Sequence, residues 1–121
     1  MKIIGEILIG VVAAEHLCIL WLEMFAWETT GKKVFRNALP GEMFKPTKTL
    51  AANQGLYNGF LAAGLIWTLF ITDPFWKTSI AVFFLSCVSV AGIYGSFTAA
   101  KKIFFIQALP AIIALGFILV Q

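Results

Sequence analysis

Apolar positions along this chain fall into four long runs, roughly Ile3–Ala26, Thr49–Ile71, Phe75–Thr98 and Ile103–Val120. Each approaches the ~20 residues that a helix needs to cross the hydrocarbon of a bilayer. None alternates apolar and polar residues with a period of two, as barrel strands do, and only helices or closed barrels can span. The pattern therefore predicts an all-α, polytopic membrane protein: one domain over residues 1–121. Its architecture is expected to be an antiparallel up-down bundle of four transmembrane helices at about 3–26, 49–71, 75–98 and 103–120. The first run is too long for the apolar core of a signal peptide, and it carries Glu15, His16 and Glu23. No cleavage site follows it, so it reads as a permanent helix.

The connections fit that reading. Thr30-Gly31-Lys32-Lys33 opens a long loop, with Pro40-Gly41 as a turn inside it. Asp73-Pro74 before Phe75 reads as a capping acid followed by proline at the first helical position. Ser96 to Lys102 turns the chain tightly, and short connections imply antiparallel neighbours.

Composition excludes a water-soluble domain. Residues are 60% hydrophobic and 12% charged, with a mean hydropathy of +0.91, whereas soluble domains carry about 25% charged residues. Cys18 and Cys87 lie inside apolar runs and read as reduced thiols. Charge sets an orientation. Lys32, Lys33, Arg36, Lys45 and Lys48 lie in the loop 28–48, and Lys101 and Lys102 in the third connection; only Lys2 and Lys77 lie on the other side. The asymmetry places both basic loops in the cytoplasm, with both termini outside. No nucleic-acid motif accompanies the basic loops. Trp27 and Trp76 are expected at the two interfaces.

The polar residues within the runs carry the candidate chemistry. Asn53-Gln54-Gly55-Leu56-Tyr57-Asn58-Gly59 places three amides and a phenol inside the second helix, where such groups are costly unless partnered. With this topology, His16 and Glu23 of the first helix, Asn53, Gln54, Tyr57 and Asn58 of the second, Tyr94 of the third and Gln107 of the fourth lie at comparable depth. They are expected to line one polar pocket in the cytoplasmic half. His16 and Glu23 are seven residues apart, hence about 20° apart on one face. They are the candidate catalytic or proton-transfer pair. Whether Glu15 faces the same site is open. Histidine and glutamate without a paired ligand motif do not make a metal site, and no cofactor is identified. Gly55, Gly59 and Ala63 form a small-residue stripe that favours close helix contact, within the chain or between copies. Pro110 favours a kink beside Gln107.

Three blocks resemble a known family. Leu22-Glu23-Met24-Phe25-Ala26-Trp27, Asn53-Gln54-Gly55-Leu56-Tyr57-Asn58-Gly59-Phe60-Leu61-Ala62-Ala63-Gly64-Leu65 and Val90-Ala91-Gly92-Ile93-Tyr94-Gly95-Ser96 look like the signature blocks of the bacterial integral-membrane family "domain of unknown function 1304". His16 and Gln107-Ala108-Leu109-Pro110 fit too. The resemblance implies a small four-helix inner-membrane protein and adds no reaction.

Three functions are compatible with this pattern. The first is a pocket that binds, or acts on, a small amphiphilic molecule. The second is a proton-coupled small-molecule transporter with Glu15 or Glu23 as the coupling carboxylate. The third is a structural or assembly protein whose polar core is interhelical glue.

Overall fold

The computed structural model describes residues 1–121. The chain is all-α, with five helices and no strand: α1 Ile3–Phe25, α2 Lys32–Val34, α3 Lys48–Phe70, α4 Pro74–Thr98 and α5 Leu109–Val120. Short π turns at Trp27–Gly31 and Phe104–Ala108 and a 3₁₀ turn at Gly41–Met43 complete the fold. α3 packs mainly on α1, α4 packs on α3 and α5, and α5 closes the ring on α1. Both termini meet at one end, where the Lys2 amide donates to Gln121 Oε1 at 3.0 Å. Lys77 pairs with Glu6 there, tying the start of α4 to the start of α1. The long loop and the α4–α5 turn share the opposite end, where Lys102 Nζ donates to the Val34 carbonyl.

Of the four apolar runs, two helices are long and apolar enough to cross a membrane. These are α1 and α4, with mean hydropathies of 2.1 and 2.0 over their best windows. α3 carries Asn53, Gln54, Asn58 and a lysine at its start, which dilute its hydropathy. The last run makes a shorter apolar helix, Phe104–Val120 with the π turn included. The expectation of four spans thus rests on length and apolarity for only two of them.

Local chemistry explains the start of α4. Asp73 accepts from the Trp76 amide at 3.0 Å and Pro74 occupies the first turn, so one orphan donor is satisfied and a second is absent. The apolar core lies toward the terminal end and is built from Ile9, Val12, Leu65, Leu85, Val88 and Ile118 with small alanines between them. The loop is also folded. Trp27 packs against Phe35 and Phe44 at 5.6 and 4.8 Å between ring centroids. Its Nε1–H donates to Thr47 Oγ1 at 3.0 Å. Phe44 is fully buried. Trp27 therefore anchors the loop, because two loop aromatics offer it burial and Thr47 accepts its proton. Trp76 stays exposed beside Phe75.

Candidate functional site

The eight polar residues singled out from the sequence separate into two buried or half-buried pairs and four exposed residues. The first pair joins α1 to the π turn before α5. His16 is fully buried. Its Nδ1 lies 2.9 Å from the Val12 carbonyl, one turn back on α1, and its Nε2 lies 3.1 Å from Gln107 Nε2. A carbonyl can only accept and an amide –NH2 can only donate. Both contacts are satisfied by one form of the ring: neutral, with the proton on Nδ1. The second pair joins α1 to α3, with Asn58 Nδ2 donating to Glu23 Oε1 at 2.6 Å. His16 and Glu23 share no hydrogen bond; they lie two turns apart along α1, and each takes its partner from a different helix.

Asn53, Gln54, Tyr57 and Tyr94 are exposed. The reason lies in how α3 packs. Its buried positions Ala51, Gly55, Asn58, Ala62 and Leu65 form one stripe at helical spacing. Small residues on that stripe let α1 approach closely. A Cβ on Gly55 would sit 2.7 Å from Met24 Cγ, and one on Gly59 2.5 Å from Leu20 Cδ1. The stripe runs through Ala62 and leaves Ala63 exposed. Asn53 and Tyr57 fall on other sides of the helix, and Gln54 at its margin.

A second stripe of α3, Gln54–Tyr57–Leu61–Gly64–Thr68, recurs at alternating steps of three and four residues. Toward the terminal end it is covered: the Phe84 ring of α4 fills the space a Gly64 Cβ would need, 2.2 Å away, and Thr68 is fully buried. Toward the loop end Gln54 and Tyr57 lie open. There α4 packs on the π turn and the residue before it, Gly92 against Ala108 and Gly95 against Ile103. The loop-end half of the α3 side that α4 covers further along is thus open and carries an amide and a phenol. Tyr94 is exposed on α4, two residues from Gly92 and so about 160° around that helix from the side packed on the π turn.

Glu15 is partly buried, and its Oε1 is a buried side-chain oxygen without a hydrogen-bond partner. Two clefts lie elsewhere on the molecule. A narrow one of about 20 Å³ separates the loop from the α4–α5 turn. An open one of about 450 Å³ lies between Met1, Lys2, Thr78, Ile118 and Gln121.

Gln107 reaches His16 from a π turn, in which the Leu109 amide donates to the Phe104 carbonyl, five residues back. The turn ends just before Pro110, which has no amide hydrogen to give. Proline at that position was visible in the sequence; the widened turn was not.

The family described as "Protein of unknown function (DUF1304)" matches residues 10–119, and the chain belongs to that family. It is 35% identical over 116 residues to the uncharacterised protein YpaA of Lactococcus lactis subsp. lactis (strain IL1403), covering 95% of this chain and 96% of that one. No solved structure matches the chain.

Proposed function

We propose that this member of the family crosses the membrane four times, with its basic loops in the cytoplasm, and binds a small amphiphilic molecule along the open side of α3. Membrane residence is supported by what the apolar helices do with their surfaces. Only 28% of the apolar window of α1, and 28% of that of α4, is buried. The core helix of a soluble protein would be mostly covered. Phe25, Phe70, Phe83, Phe97 and Val120 are each more than half exposed, an outer surface of large apolar side chains that water does not favour. Lipid is the solvent that such a surface fits.

The observation that carries the binding reading is the interrupted stripe on α3. The same side of the helix is sealed by Phe84 near one end and left open at Gln54 and Tyr57 near the other. An amide in that position needs a polar partner. A ligand with one polar group and an apolar body satisfies both the amide and the flanking aliphatic surface. The Glu23–Asn58 hydrogen bond on the neighbouring stripe supplies a second polar anchor.

Two experiments test this. Cysteines introduced near Lys33 or Lys101 should react only with membrane-permeant reagents in intact cells, and one after Val120 should react from outside. Protection of the carboxyl end would reverse the topology. For binding, Gln54→Leu and Asn58→Leu should remove a small molecule that copurifies with the wild-type protein, detected by mass spectrometry of the extract. Gln54 makes no hydrogen bond within the fold, so Gln54→Leu should melt as wild type; Asn58→Leu loses its contact with Glu23 and should cost ~0.6 kcal/mol, with ~2 kcal/mol as the upper end. Loss of melting temperature in Asn58→Leu with no change in the extract of either variant would identify Asn58 as interhelical glue instead.

A further inference from the structure

The cleft between the loop and the α4–α5 turn combines largely apolar walls with Lys102 among its lining residues and Arg36 and Lys101 next to lining residues in the chain. Val34, Phe35 and Ala38 line one side, and Ile103 and Ile106 the other. Lys102 also lines it, and its Nζ donates to the Val34 carbonyl across the gap at 3.2 Å. Arg36 stands between two lining residues in the chain, and Lys101 precedes Lys102; both are exposed and neither forms an ion pair. The loop end as a whole carries an excess of cations. Its carboxylates are Glu28 and Glu42, and Glu28 already faces Lys48 at 3.7 Å.

We infer that an anionic phospholipid of the leaflet next to the loop docks across the mouth of this narrow cleft, with its phosphate among Arg36, Lys101 and Lys102 and an acyl chain running outward over Ile103 and Ile106. The inference rests on the membrane reading above but not on the open side of α3. Charge complementarity selects an anion, and the nearly wholly apolar walls select one that carries hydrocarbon. A free phosphate would use the rim alone. Ile103 and Ile106 open the run that continues into the apolar α5, so a chain laid along them leads from the rim toward the bilayer interior. The folded loop supports the arrangement, because the Trp27–Phe35–Phe44 cluster holds Phe35 against the cleft. Lysines and arginines near a membrane surface attract anionic lipid by roughly fivefold each.

The test is native mass spectrometry of the full chain purified in detergent, titrated with phosphatidylglycerol and with phosphatidylcholine of the same acyl chains. Wild-type protein should retain phosphatidylglycerol preferentially. Arg36→Gln and Lys101→Gln should each lower that retention by roughly fivefold. Neither removes a contact within the fold, so both should melt as wild type. Lys2→Gln, at the opposite end, should change nothing. Ile106→Ser should weaken retention while leaving every rim cation in place. Equal retention of the two lipids by wild type would overturn the inference, as would an equal loss in Lys2→Gln. Full displacement of phosphatidylglycerol by millimolar inorganic phosphate would also overturn it, by showing a phosphate site instead of a lipid site. In detergent the result does not depend on orientation, which the labelling experiment decides separately.

Discussion

Gly92→Val should strongly destabilise the protein, with Gly92→Ala already costing at least the upper end of the usual overpacking range, about 3 kcal/mol. The reason is what a side chain there would meet. A Cβ on Gly92 would lie 2.5 Å from the Ala108 amide nitrogen, 2.7 Å from its Cβ and 2.8 Å from its Cα. Those atoms are mostly backbone, so no rotamer change relieves the clash. α4 and the π turn would have to separate, and the π turn is the segment that holds Gln107 against His16. Gly59 offers a useful contrast. Its Cβ would meet only the tip of Leu20 at 2.5 Å, and a flexible tip can turn away. At Gly10 nothing lies within 4 Å, so Gly10→Ala should gain up to about 1 kcal/mol from helix propensity alone. Thermal unfolding of the three alanine variants in one detergent gives the comparison. A Gly92→Ala protein that melts with the wild type would mean that α4 and the π turn do not touch as described.

Replacing either member of the His16–Gln107 pair should be the next largest effect. His16 is fully buried, and its two ring nitrogens are used in opposite senses, one donating to Val12 and one accepting from Gln107. Gln107→Leu leaves the Nε2 lone pair buried without a donor, a loss of about 1–3 kcal/mol. His16→Leu strands the Gln107 amide and removes the Val12 contact, so it should cost at least as much. The double variant should recover part of the sum, because two apolar side chains leave nothing unpaired. A coupling energy near 1 kcal/mol is expected for such a polar contact between helices. Additive losses in the cycle would show that the two residues do not interact. His16→Gln is the milder probe: it keeps a polar side chain at the position and should retain the fold.

How much of this was legible before the structure can be judged residue by residue. The helical class follows from runs that lack period-two alternation, and Asp73-Pro74 marks the start of α4 in sequence as it does in space. The polar candidates were harder, because two neighbouring signals on α3 compete for the interior. The amides at 53 and 54 ask for partners, and the small residues at 51, 55 and 59 allow close contact. Close packing on α1 won: it buries the small stripe together with Asn58 and leaves Asn53, Gln54 and Tyr57 outside. Depth along the helices, which the sequence supplies, brings His16 and Gln107 level. Their contact also needs a rotation about the helix axis that only the π turn provides. The folded loop was hidden for a different reason. Its cations dominate its composition, whereas Trp27, Phe35 and Phe44 are spread too far apart in sequence to form a pattern.

The π turn also bears on changes in chain length. A single π turn inside a helix holds one residue more than the α-helical turn it replaces. In terms of register it is an insertion that the helix has absorbed without a loop. Upstream of it, Ile103 meets Gly95, and within it Gln107 meets His16. Downstream, Ala111, Ala114 and Ile118 face the core. Deleting one residue between Ile103 and Gln107 would let the segment close into an ordinary α-helix. One of the two sets of contacts would then be turned roughly 100° away from its partners. The polar contact and the apolar face of this last helix thus belong to two helical phases of one continuous rod, and the widened turn is the splice between them.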